Sequence, residues 1–84
     1  MSSYFQLPVT LELGVRAHNL LLEEYPLAER DIKPVGPDKW LLKTNVCDYR
    51  GIARFAIGLA DDVKIIDSPE FQRFVSAFVA KYLM

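Results

Sequence analysis

Residues 8–26 read Pro8-Val9-Thr10-Leu11-Glu12-Leu13-Gly14-Val15-Arg16-Ala17-His18-Asn19-Leu20-Leu21-Leu22-Glu23-Glu24-Tyr25-Pro26, and the hydrophobic period changes halfway along. Val9, Leu11, Leu13 and Val15 alternate with Thr10, Glu12 and Gly14, the period-two signature of a strand with one buried face. From Arg16 onward Ala17, Leu20, Leu21 and Tyr25 recur at helical spacing until Pro26 ends the pattern. The stretch therefore predicts a strand that runs directly into a helix.

Downstream, Ile32 to Val35 is short, β-permissive and holds Pro34, which suits an edge strand because proline donates no ladder hydrogen bond. Gly36, Pro37 and Asp38 supply turn chemistry before Lys39 to Cys47, where Trp40, Leu42, Thr44 and Val46 share a face. Gly51 to Ala60 carries Ile52, Phe55, Ala56 and Leu59 on one helical stripe, and Val63 to Ile66 is a short β-branched run. Ser68 as N-cap, Pro69 in the first turn and Glu70 beside the positive end of the dipole start a last helix. That helix bears Phe71, Phe74, Val75, Phe78, Val79 and Tyr82 at spacings of three and four.

The order βαββαβα predicts an α+β fold: a ferredoxin-like split βαβ sandwich with an additional C-terminal helix. Right-handed crossovers place the first and third strands at the centre of a four-stranded antiparallel sheet. The first two helices cover one face, and Thr10, Glu12, Leu41, Lys43 and Asn45 lie on the other, open to solvent or a partner. Residues 1–7 read as a lead-in and residues 8–84 as a single domain.

Composition narrows the function. An 84-residue chain with 51% hydrophobic and 25% charged residues is in the range of one folded domain. A net charge of −1 gives no global attraction to duplex DNA, so direct duplex binding by this domain alone is not expected. One cysteine permits no internal disulfide, and no apolar run reaches membrane length, so a cytoplasmic setting without membrane association is expected.

The chemistry-bearing residues point away from catalysis. His18 is the only histidine and has no cysteine or carboxylate cluster around it in sequence, so no metal site is expected. Cys47, near the end of a strand with no positioned base, reads as a small buried hydrophobe. Glu23-Glu24 and Asp61-Asp62 are adjacent pairs whose members diverge on a helix, and they read as solvated ends. Gly51 and Gly58 lack the Lys-Ser/Thr of a phosphate loop, so no nucleotide cofactor is expected.

Two features carry a binding reading. Arg50 and Arg54 lie one helical turn apart, able to grip a phosphate or carboxylate jointly, although Asp48 competes as a partner. The aromatic stripe is an ordinary helix face, yet two helices already cover the sheet. A third apolar helix must then cover an edge, the open face or another chain, which makes Phe71, Phe74, Phe78 and Tyr82 candidate interface residues.

The stretch Asp48-Tyr49-Arg50-Gly51-Ile52-Ala53-Arg54-Phe55-Ala56-Ile57-Gly58-Leu59-Ala60-Asp61-Asp62-Val63-Lys64-Ile65-Ile66-Asp67-Ser68-Pro69-Glu70-Phe71 resembles the C-terminal extension (WCX) domain of bacterial WYL-domain transcriptional regulators. Arg54, Gly58, Val63, Ile65 and Pro69 fall in the family's order of helix, glycine, strand and proline-led helix. Val9 to Leu13 and the helix ending at Glu23-Glu24-Tyr25-Pro26 are similar to its first strand and helix, so the resemblance spans residues 8–83. Leu59-Ala60-Asp61-Asp62 departs from the pattern, where relatives carry an aromatic and a second glycine, and no winged helix or Trp-Tyr-Leu domain is present.

The resemblance implies a cytoplasmic regulatory and dimerisation module of a transcriptional regulator. Its partner is the WYL domain of the same or a neighbouring protomer in a homo-oligomer, and the effector of the parent protein is nucleic-acid or nucleotide-like. Arg54, and with it Arg50, contributes positive charge to that effector site. The alternative is a stand-alone ferredoxin-like small-ligand sensor or protein-interaction domain. An acylphosphatase-like enzyme is not expected, because Leu13-Gly14-Val15-Arg16 holds one glycine where that chemistry needs a glycine-rich anion loop.

Overall fold

The computed structural model describes residues 7–82, and side chains as far as Lys81. The order of elements is β1 (Leu7–Leu13), α1 (Val15–Glu24), a 3-10 helix (Pro26–Asp31), β2 (Ile32–Gly36), β3 (Lys39–Val46), α2 (Tyr49–Gly58), β4 (Val63–Ile65) and α3 (Pro69–Tyr82). The four strands form one antiparallel sheet in the order β2-β3-β1-β4, so β1 and β3 are central. Residues 1–6 of the expected lead-in lie outside the described residues, and its last residue, Leu7, already pairs with Val46 in the sheet.

The alternation of β1 is realised by burial. Val9, Leu11 and Leu13 are buried and join Leu42 of β3, Ala17 and Leu21 of α1, and Ala53, Ala56 and Leu59 of the α2 region in a single core. Val15 does not continue the strand: the helix starts there, one residue before the expected point, and its side chain is 43% exposed. Pro26 ends α1 and opens the 3-10 helix, an element that the helical period of α1 does not foretell. The Thr44 hydroxyl donates to Asp31 at 3.1 Å and ties the end of that turn to β3.

Gly14 and Asp62 build the junction between β1 and α1. Gly14 stands at the N-cap position without a side chain to cap with, and Asp62 supplies the missing acceptor from 45 residues away: its Oδ2 accepts the Ala17 amide at 2.7 Å. The Gly14 amide donates to the Asp62 carbonyl at 2.9 Å, and a Cβ on Gly14 would collide with the Asp62 carboxylate. Asp62 is thus a structural cap and not the solvated end expected of the Asp61-Asp62 pair. Asp61 does point outward, in an exposed ion pair with Arg16 at 3.7 Å.

β4 is three residues long and pairs only Leu11 to Leu13, so among the described residues the Leu7–Thr10 half of β1 has no strand partner on the β4 side. The start of α3 closes part of that edge. Ile66 donates its amide to the Thr10 carbonyl at 2.9 Å, and the Thr10 amide donates to Ser68 Oγ at 3.0 Å. The Ser68 hydroxyl donates in turn to the Ile66 carbonyl at 2.8 Å, while its own carbonyl accepts the Gln72 amide at 2.9 Å. Ser68 therefore holds the N-cap position through its backbone, and its side chain extends the β1 ladder instead of capping the helix. Asp67 turns the chain into α3 with a φ of 48°, the one non-glycine left-handed residue described.

Cys47 follows the last residue of β3 and is exposed, contrary to the buried hydrophobe expected; β3 ends at Val46, so Cys47 lies in the bend beyond the sheet. No helix among the described residues is long and apolar enough to cross a membrane.

Candidate functional site

The candidate site grows from the N-terminus of α2. Asp48 is its N-cap: Oδ1 accepts the Arg50 amide at 2.8 Å. The Arg50 side chain folds back onto the same carboxylate, with Nη2 donating to Oδ2 at 2.8 Å and Nε at 3.1 Å. The Arg50 guanidinium and then its backbone N–H hold the Asp48 carboxyl below the usual carboxylate range. Arg50 is therefore engaged by Asp48, as the competing reading anticipated.

Arg54, one turn on, is exposed and makes no hydrogen bond or ion pair among the described residues. The two arginines share α2, and the first has its guanidinium turned back to Asp48 at the helix N-terminus. What Arg50 does meet is α3: Arg50, Phe74, Ala77, Phe78 and Lys81 border an open, mainly apolar cleft of about 220 Å³.

Beneath it runs an aromatic seam. Tyr49 packs on Phe71 with ring centroids 5.1 Å apart and on Phe74 at 5.3 Å, and Phe74 packs on Phe78 at 6.0 Å. These separations are those of favourable tilted pairs. Phe71 is fully buried in the core, so its apolar character is accounted for inside the domain and it cannot face a partner. Phe74 and Phe78 are half-buried and lie along the cleft, and Tyr82 is the last residue of α3, its side chain outside those described.

Tyr49 is a member that the sequence reading missed, since it placed the helix start at Gly51. The signal was present: Asp48 is an N-cap residue, and a helix started there puts Tyr49 three residues before Ile52, on the apolar stripe.

A second, larger cleft of about 480 Å³ lies between the end of α1, the 3-10 helix, β3 and the start of α2. Leu21, Leu42, Val46 and Ile52 provide apolar walls, with Tyr25 and Arg30 among the polar residues around them. His18 contributes to neither cleft. Its ring stacks on Trp40, centroids 4.1 Å apart and planes 14° from parallel, at the end of the sheet where β3 begins. Among the described residues no three His, Cys, Asp or Glu side chains gather to hold a metal ion.

No family model, curated protein or solved structure matches this chain.

Proposed function

We propose that the chain is a non-catalytic assembly module that docks on a partner through the cleft between the start of α2 and the second half of α3. The observation that carries this reading is the joint lining of that cleft by Phe74, Ala77 and Phe78 with Arg50 and Lys81 beside them. Half-buried aromatics with flanking cations are the composition of an interface anchor, in which rings fill a partner's pocket and charges at the rim choose its orientation.

In its more specific form the module is the C-terminal extension of a WYL-type bacterial transcriptional regulator, a ferredoxin-like sandwich with one added helix. The partner is then a WYL domain of the same or a neighbouring protomer in the cytoplasm, and Arg54 is the exposed cation nearest to its effector. Two observations support this form. Arg54, Val63 with Ile65, and Pro69 fall on helix, strand and helix in the family's order, and the strand order has β1 and β3 at the centre.

Light scattering behind size exclusion tests the assembly reading on the 84-residue chain. The expected result is a dimer that Phe78→Ala or Arg50→Glu dissociates while the circular dichroism spectrum is unchanged. A chain that stays monomeric at high concentration and fails to retain an isolated WYL domain on a column sinks it.

The small-ligand alternative rests on the cleft walled by Leu21, Leu42, Val46 and Ile52, whose volume of about 480 Å³ is that of a ligand pocket. A thermal-shift screen of metabolites decides it: a ligand whose stabilisation disappears in Ile52→Trp supports that reading, and none doing so removes it.

A further inference from the structure

The charge of the sheet is sorted by face. The four strands carry four lysines, one glutamate, and no arginine or aspartate. Strand parity puts all five on the side away from the core. Lys33 pairs with Leu41, Leu41 with Glu12, and Glu12 with Lys64, giving one row across all four strands, while Lys43 pairs with Thr10 in the next. Lys39 precedes Leu41 by two residues on the same side of β3. The outward residues of the strands thus sum to +3 in a chain of −1, which leaves −4 for everything else, and at the β4 end Asp61 and Asp62 share a shallow cleft with Glu12, Lys39 and Lys64.

Leu41 occupies the middle of this arrangement. Lys39 and Lys43 flank it along the strand, about 7 Å away on either side, and Lys33 and Glu12 flank it across the sheet at about 5 Å. The four lysines are exposed, Leu41, Thr10 and Glu12 are half-buried, and none of these lysines forms an ion pair among the described residues. α1 and α2 supply core residues to the opposite face, and Phe71 of α3 joins them there.

We propose that this face is a second docking surface, distinct from the α2–α3 cleft, and that its occupant is an acidic amphipathic α-helix of a partner protein. An apolar residue bordered by three lysines and one glutamate is a small interface core with a mainly basic rim, and its complement is an apolar stripe bordered mainly by carboxylates. A helix of about 12 residues spans about 18 Å, enough to cross four strands whose axes cover about 14 Å. Packing there adds a third layer over the uncovered side of the sheet.

Single-stranded nucleic acid fits less well. Among the described residues the face offers no aromatic ring for bases to stack on and no arginine for bidentate phosphate contact, and Glu12 sits in the central row. A second copy placed face to face would set +3 against +3.

The test is a titration of the isotope-labelled 84-residue chain, followed by amide chemical shifts. The probe is a synthetic 14-residue helix with leucine along one side and glutamate elsewhere. The expected perturbations centre on Leu41, Lys33, Lys43 and Lys64, the affinity falls as salt rises, and Lys39→Glu combined with Lys43→Glu weakens binding about tenfold or more at unchanged fold. Phe78→Ala leaves this binding intact, which separates the face from the cleft of the assembly reading. Three results would overturn the proposal: perturbations absent or confined to α2 and α3, a 15-nucleotide thymidine strand binding this face more tightly than the peptide, or the same lysine variants abolishing self-association of the chain.

Discussion

The Asp62 carboxylate accepts the Ala17 amide at 2.7 Å across 45 residues of sequence, and so the loop before β4 caps the first turn of α1. Gly14 makes room for it, since a side chain at that position would occupy the carboxylate's place. Two elements that share no strand ladder are locked to each other through one residue, whose carboxylate accepts the Ala17 amide and whose carbonyl accepts the Gly14 amide. The geometry also explains why an otherwise ordinary helix start has no Ser, Thr, Asp or Asn of its own.

Asp62→Ala is expected to lower the unfolding free energy by roughly 0.5–2 kcal/mol, the usual worth of an N-cap acceptor. Asp62→Asn keeps an oxygen in place and loses less. Gly14→Ala is destabilising in the native chain but less so when Asp62 is already alanine, because the collision is then gone. Urea unfolding of the four proteins measures the non-additivity, and additive effects would contradict the proposed contact.

The stripe on α3 divides by depth. Phe71→Ala removes a ring that is fully buried and is expected to destabilise by about 3–5 kcal/mol, a large part of the stability of a domain this small. Phe71→Leu retains most of the volume and should stay folded at a loss of about 1.5 kcal/mol or less. Phe78→Ala, at a half-buried site beside a cleft, changes thermal stability much less. Melting curves that rank Phe78→Ala with Phe71→Ala would place Phe78 in the core and remove it as a docking residue.

Much of this division was legible in the sequence, and the parts that were not share a cause. Period two in β1 and period 3.6 in α3 announce which residues turn inward, because burial alternates with the geometry of the element itself. Val9, Leu11, Leu13 and Phe71 are buried on that account. Periodicity is silent about partners that are distant in sequence. Asp62 looked solvated because its helix of action is α1, and Ser68 does stand at the N-cap position, but the bond its side chain accepts from Thr10, 58 residues away, leaves no trace in the local pattern. Arg50 and Arg54 had the right spacing for a joint anion site, and the nearer acceptor, Asp48, took one of them.

Acid should act on α2 through Asp48. Its carboxyl titrates below the ordinary range because the charged form is held by Arg50, so the folded pKa is lower than the unfolded one. The stability it contributes is then fully present above the unfolded carboxylate pKa of about 3.9, and is lost as pH falls through the lower folded value. In Asp48→Asn that contribution is absent at every pH. The difference in melting temperature between the two proteins should be largest at neutral pH and shrink in strong acid; a difference that grows on acidification contradicts the assignment. The exposed pair is also screened by salt.

Asp67 occupies the left-handed region at the turn into α3. Asn or Gly is tolerated there, whereas Asp67→Val should lower stability by about 1–2 kcal/mol, because a β-branched side chain crowds the following carbonyl in that conformation. Equal melting temperatures for the Val and Asn variants would show that the turn relaxes into another geometry.

His18 stacks on Trp40, and this contact joins the first turns of α1 to the start of β3 at the end of the core where β1 gives way to the helix. Neither ring is fully exposed, and each covers the other's apolar face, so the pair is worth more than two separate surface rings. A double-mutant cycle with His18→Ala and Trp40→Leu is expected to give a coupling of about 0.5–1.5 kcal/mol. Trp40 is the only tryptophan, so the emission of native His18→Ala reads the same contact directly: loss of the stacked imidazole opens the indole to water and shifts its fluorescence to the red. An unshifted spectrum together with zero coupling would mean that the rings do not stack in solution, and the imidazole would then belong among the groups open to a ligand.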